Sequence, residues 1–220
     1  MPKVVDHGAR RRDVAAAVWR VVRRDGLDQA SVRNVAREAD LSMGSLRHYF
    51  TTQAELLAFT LRTVIDRIEE RLAALPEEPD PRRRAEAVLA ELLPMDAERS
   101  AENEVWIAFT ARSLVDPELG AVRDEGYRAL RNGCRALVIA LVPGTSGDGA
   151  SASASDGGSA SDGGSASDSD SRRDVELEAA RLHALVDGLA VHAATRPDET
   201  TPERMRQIVR AHVEQLSEKS

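Results

Sequence analysis

Apolar residues in this chain recur at helical spacing along almost its whole length, and no stretch sustains the two-residue alternation of a half-buried strand. Ala, Leu, Arg and Glu dominate, all of them good helix formers. The expected fold is therefore all-α, with about nine helices. The first is expected over 8–25, where Val14, Ala17, Val18, Val21 and Val22 share a face and Gly26 supplies a left-handed stop before Leu27. Ser31 and Ser42 are good N-caps for two short helices separated by a break at Asp40-Leu41. Thr52 and Glu55 form a T-x-x-E capping box that opens a long helix reaching Pro76. Asp80-Pro81 and Asp116-Pro117 each place a cap and a first-turn proline, ahead of helices to about Leu93 and Val142, with another helix over 98–114 between them. Two more are expected over 172–195 and from Thr201-Pro202 to about Leu216.

Residues 144–171 interrupt this pattern. They are almost purely Gly, Ser, Ala and Asp, with GGSASD in tandem at 157–162 and 163–168. Nothing there can join a core, so a disordered loop is expected. Twenty-eight such residues span roughly 30 Å, enough to join two antiparallel helices without dictating how they pack.

Charge divides the chain. The net charge is −7, but residues 1–52 hold ten Lys/Arg against six Asp/Glu, giving +4 and leaving −11 on the rest. A basic N-terminal module on an acidic body is the pattern of a DNA reader joined to a domain that does not touch DNA. The expected division is 1–52 and 53–220.

The segment Ser31 to Phe50, SVRNVAREADLSMGSLRHYF, reads as a helix-turn-helix. Its second helix offers Ser42, Ser45, Arg47, His48 and Tyr49 on an exposed face, all able to hydrogen-bond in a major groove. Gly44 leaves room for close approach, while Leu46 and Phe50 point inward. Ser31 sits at a helix N-terminus, where hydroxyl, free amides and dipole suit a phosphate oxygen. VRNVAREADLSMGSLRHYFTTQAELL, with the G-x-L-x-x-Y-F pattern of Gly44, Leu46, Tyr49 and Phe50 and the following Glu55, Leu56 and Leu57, resembles the DNA-binding signature of TetR/AcrR-type regulators over about residues 10–57. The resemblance implies a DNA surface of Ser31, Ser42, Met43, Gly44, Ser45, Arg47, His48 and Tyr49, to which the adjoining Arg33 and Thr51 are added. Arg47 stands where relatives often carry an aromatic residue, and Thr51 where many carry a lysine. Arg47 either replaces that charge at a phosphate or reads a guanine edge.

VWIAFTARSLVDPELGAVRDEGYRALRNGCRALV and LVDGLAVHA resemble the C-terminal domains of BetI-like members, over about 100–142 and 175–216. That implies a helical bundle with a small-molecule cavity and a dimer formed through the last two helices. Leu182, Leu185, Val186, Leu189 and Ala193 make an apolar stripe on the first of those helices and are the candidate dimer contacts. Asn103, Trp106, Phe109 and Tyr127 are the pocket candidates, since apolar cavities use aromatics with a few polar anchors. Each is also an ordinary core position by pattern alone.

The remaining expectations are mostly exclusions. His183 and Asp187, four apart, could share a metal but lack a third ligand, so a local pair is expected and no metal or cofactor. His192 is expected to be packed or interfacial. Cys134, the only cysteine, reads as a small buried hydrophobe. No nucleophile elbow, phosphate loop, H-E-x-x-H or C-x-x-C occurs, which argues against an enzyme. No run of about 18 apolar residues and no apolar stretch behind the first basic residues occur, so a cytoplasmic protein without a membrane span is expected. The implied protein is a dimeric regulator, by family habit a repressor, whose partners are a double-stranded DNA operator and an unknown small-molecule effector. Its rival is a DNA-binding protein that answers to a protein partner or to nothing.

Overall fold

The computed structural model describes residues 7–26, 29–142 and 165–218. Among them are nine α-helices and no strand: α1 His7–Asp25, α2 Val32–Glu38, α3 Met43–Tyr49, α4 Gln53–Ala73, α5 Pro81–Leu92, α6 Ala97–Ser113, α7 Gly120–Leu141, α8 Ser165–Thr195 and α9 Pro202–Ser217. Leu27 and residues 144–164 of the expected loop lie outside the described residues.

The local signals act as expected. Gly26 has φ +89° and its N–H closes α1 on the Val22 carbonyl at 2.9 Å. The hydroxyls of Ser31 and Ser42 accept from the amides of Asn34 and Ser45 at 3.2 and 3.0 Å. Thr52 and Glu55 make both arms of the capping box. Asp80 caps α5, with Pro81 in its first turn.

Three boundaries differ from expectation. Asp116-Pro117 caps a 3₁₀ turn, Pro117–Leu119, and α7 begins only at Gly120. Leu119 is fully buried, so the turn is held by its plug in the core beneath. The long fourth helix stops at Ala73, ahead of the residues that Pro76 excludes from helix. Helix α8 starts at Ser165, inside the stretch expected to be loop. The glycines of the repeat end at Gly164, and once the apolar face of α8 is docked each further helical residue costs little.

The core has two parts. One gathers Val14, Val18 and Val21 of α1, Val35 of α2, Leu46 and Phe50 around α3, and Leu56 and Leu61 of α4 with Val105 and Phe109 of α6 and Leu119. The other joins α5, α7, α8 and α9 through Leu89, Cys134, Val138, Leu182, Met205 and Val213. Helix α4 belongs to the first part at its N-terminal end and runs on past the second.

Candidate DNA-reading surface and effector cavity

The break between α2 and α3 turns on Asp40, at φ +54° a left-handed residue that is not glycine, and the Leu41 N–H returns to the Ala36 carbonyl at 2.8 Å. This tight link fixes α3 on α2. Leu46 and Phe50 are buried beneath α3, as the period required. Above them Ser42, Met43, Gly44, Ser45, Arg47 and His48 are exposed, and Arg33 is exposed on α2. Arg47 and Arg33 make no hydrogen bond or ion pair among the described residues, so both guanidinium groups are free for a partner.

Not every expected contact is equally available. Ser42 and Ser45 share a hydroxyl–hydroxyl bond of 2.8 Å besides the cap bond. Tyr49 is half-buried against the core, with His48 edge-on to its ring at 6.0 Å. Thr51 is corrected: its N–H and its hydroxyl both donate to Glu55 Oε2 at 2.7 Å, so its proton is engaged in the start of α4 and not offered to a phosphate. Those bonds hold the Glu55 carboxyl below its usual range. Ser31 is partly buried, with its oxygen in the α2 cap.

The surface is braced from behind. Arg20 and Arg24 of α1 reach Glu38 of α2 at 2.8 and 2.9 Å and lower its carboxyl pKa. Arg11 lies over the rings of Phe50 and Phe59 at 5.7 and 5.8 Å.

Between the two parts of the core lies a cavity of about 240 Å³. Its apolar lining includes Ile65, Ile68 and Leu72 of α4, Leu92 of α5, Trp106 of α6, Leu130 of α7 and Val186 of α8. Asn103 and Trp106, two of the four expected pocket residues, line it. Asn103 donates its Nδ2 to the Ala190 carbonyl at 2.7 Å, tying α6 to α8. Trp106 packs so closely on Gly126 that a Cβ there would meet its ring at 2.6 Å. The other two are corrected. Phe109 is 1 % exposed and fills the first core, because α6 turns that face toward α1 and α4. Tyr127 is half-exposed outside the cavity, its ring 4.7 Å from that of His183.

Sequence reasoning missed the cavity's charged wall. Arg71 donates to both oxygens of Glu102 and to Glu91 at 3.1 Å, and Arg99 meets Glu91 at 2.9 Å and Asp96 at 2.9 Å. The signal was Glu102 itself, an acid on the buried side of α6 beside Ala101 and Val105. Two more carboxylates, Glu69 and Asp187, also line the cavity. Burial holds the Asp187 carboxyl above its usual range, with His183 opposing; the two are 3.3 Å apart, the local pair expected.

Three of the five residues of the stripe expected at a dimer face are corrected. Leu182, Val186 and Leu189 are buried in the chain's own second core, and Leu185 and Ala193 pack against it. An apolar stripe marks burial, and here the chain's own helices, α7 above all, supply the cover. The side of α8 that stays open carries Leu177, Ala184 and Val191. His192 is exposed, so of the two expectations it is the packed one that is corrected. Cys134 is buried, its thiol pushed up to about 12 by burial first and then by Asp187. Among the described residues no group of three or more His, Cys, Asp or Glu could hold a metal ion, and no helix is long and apolar enough to cross a membrane.

A braced helix-turn-helix joined by one continuous helix to a helical bundle is the layout of a DNA-binding regulator of transcription. Family models agree: residues 14–58 match the bacterial regulatory proteins of the tetR family, and residues 81–156 and 161–218 match the C-terminal domain of BetI-type transcriptional repressors. The chain belongs to the TetR family of transcriptional regulators. It is 35% identical over 217 residues to the HTH-type transcriptional regulator PksA of Bacillus subtilis, covering 98% of this chain and 94% of that one. It is 26% identical over 219 residues to the regulator BetI of Yersinia pestis, covering 98% and 96%. A transcriptional regulator from Rhodococcus sp. RHA1 superposes with a TM-score of 0.74 at 31% identity, over 94% of this chain and 95% of that one. The family is one of DNA-binding regulators and not of enzymes.

Proposed function

We propose that the protein is a cytoplasmic repressor that binds a near-palindromic operator as a homodimer and releases it when a small molecule fills the cavity. The observation that carries this reading is the reach of α4. Its first turns, with Leu56, Leu57 and Leu61, are core beneath the reading surface, and its later turns, with Ile65, Ile68 and Leu72, are cavity wall. An occupant that repacks the wall moves the support of α3. Two reading surfaces would enter successive major grooves about 34–36 Å apart, and a change in that separation weakens DNA binding. The coupling equals the ligand's preference for the DNA-free state.

Base and phosphate contacts are assigned to Arg33, Ser42, Met43, Gly44, Ser45, Arg47, His48 and Tyr49, and a phosphate to the α2 N-terminus at Ser31. Dimer contacts are assigned to the open side of α8 at Leu177, Ala184 and Val191. Asn103 and Trp106 are assigned to the effector.

The cavity lining favours an effector with an apolar body and a cationic end. Arg71 and Arg99 are already answered by Glu91, Glu102 and Asp96, so the other two carboxylates, Glu69 and the Asp187 that faces His183, leave an excess of negative charge in the cavity that the Trp106 ring also lines. Two structural neighbours are described with cations, a regulator from Saccharomonospora viridis with choline and the multidrug-binding protein EbrR with malachite green.

Fluorescence anisotropy on DNA upstream of the protein's own gene, across a salt series, tests the reading. Sequence-dependent, salt-sensitive binding is expected, weakened by Arg47→Ala by about 1–3 kcal/mol. Choline or malachite green is expected to lower that affinity, and choline's uncharged carbon isostere to leave it unchanged. Binding no tighter than to random DNA in a genome-wide selection, or DNA affinity unmoved by any saturating cation, would overturn it.

A further inference from the structure

A second concavity, of about 450 Å³, opens on the adjoining side of α4 from the effector cavity, in the angle between α1, α4 and α6. Its floor is small: Ala15 and Ala16 of α1 face Ala97 and Ala101 of α6. Its rim is basic. Arg12, Arg20, Arg23 and Arg67 stand around it against a single lining carboxylate, Glu98. Trp19 forms one wall, with the Arg67 guanidinium 5.5 Å from its ring centre.

Most of these arginines are loosely held. Arg12 has no hydrogen bond or ion pair among the described residues. The one contact of Arg23 is Glu104 at 3.9 Å, and Arg67 meets Glu98 and Glu102 at 3.6 and 3.7 Å. Only Arg20 is tightly paired, to Glu38. Exposed pairs at such lengths contribute little, so these forks remain able to take a carboxylate, sulfonate or phosphate in two-pronged fashion. A floor of alanines beside an indole admits a flat apolar body. The volume is that of a small-molecule site, and duplex phosphates would meet the rim without using the floor.

From this cleft we infer a second ligand site, for an organic anion with a flat apolar body, distinct from the effector cavity. It goes beyond the proposed repressor function and does not depend on it. An occupant would bridge α1 of the reading surface to α6 of the bundle. It would also compete for Arg67 with Glu102, the same carboxylate that Arg71 holds at the effector cavity. The two sites therefore share one acid, and each would alter the other's affinity by an equal factor.

The test uses the full chain carrying Trp106→Phe, which leaves Trp19 as its tryptophan, titrated with naphthalenesulfonate. Saturable quenching of Trp19 is expected, absent with uncharged naphthylmethanol. Arg23→Ala should weaken binding about tenfold, and so should Ala16→Glu, which puts a carboxylate on the floor at an exposed position that the fold tolerates. Arg206→Ala, an exposed arginine on α9 that lines neither cavity, should leave it unchanged. Equal quenching by the uncharged analogue, indifference to both Arg23→Ala and Ala16→Glu, or loss on Arg206→Ala would overturn the assignment. So would loss of naphthalenesulfonate binding in step with random-sequence duplex added at low salt, which would make the rim a phosphate contact of DNA.

Discussion

Arg71 and Glu102 face each other fork to fork, Nη1 to Oε1 at 3.1 Å and Nη2 to Oε2 at 2.7 Å, and so tie α4 to α6 at the wall of the cavity between the two cores. Glu102 is 4 % exposed and Arg71 keeps a second partner in Glu91. Glu102→Ala removes the buried acid and leaves Arg71 and Arg67 facing each other without it. A loss of about 2 kcal/mol is expected, below that for a fully buried pair because Arg71 stays partly solvated. Urea unfolding measures it. An unchanged midpoint would show the pair contributes nothing net.

Gly126 lies under the Trp106 indole. Gly126→Ala gains helix propensity, yet its methyl must displace the ring from 2.6 Å. A net destabilisation of about 1–2 kcal/mol is expected, together with a narrowed cavity. Thermal melts and the emission maximum of Trp106 report both. Cation affinity should fall while operator affinity in the absence of cation is retained.

The α4 capping box makes a statement about acid. The Glu55 carboxyl sits below its unfolded value because it accepts from the Thr51 hydroxyl and from the Thr51 and Thr52 amides. A lowered carboxyl contributes stability above its unfolded pKa and loses it as pH falls through the folded one. Glu55→Gln should therefore be less stable than the native chain at neutral pH, with the gap closing as pH drops through and below the ordinary carboxylate range. Thr52→Ala removes the other arm and should cost about 1 kcal/mol. Circular dichroism melts from neutral to acid pH follow both, and a gap independent of pH would deny Glu55 this role.

Leu177 and Val191 are 59 and 44 % exposed on the open side of α8. Leu177→Glu with Val191→Glu should convert a dimer to monomer in sedimentation velocity, with operator affinity reduced and melting temperature kept. Leu185→Ala, on the covered side, should instead lower stability and leave the dimer intact. The reverse pattern would return the interface to the stripe that the sequence suggested.

What could be read from sequence was what depends on near neighbours. Ser31, Ser42, Thr52 with Glu55, and Asp80 with Pro81 act within one helical turn, and all act as expected. The inward turn of Leu46 and Phe50 followed from period alone. The cavity wall did not follow, because Arg71 and Glu102 are 31 residues apart and meet only through packing. Phe109 and Leu182 show the other limit: a helical stripe says that a side chain is covered, and not whether core, cavity or a second chain covers it.

The core beneath the reading surface does not end where the basic segment does. Val105, Phe109, Leu119 and Val122 complete it from the bundle. Residues 1–52 excised alone would expose the side that these four close, and should not hold a native fold. Nor could the DNA specificity of a relative be grafted on by splicing at that boundary. A working chimaera would have to refit the seam at Phe109 and Leu119, or exchange only the outward residues of α2 and α3.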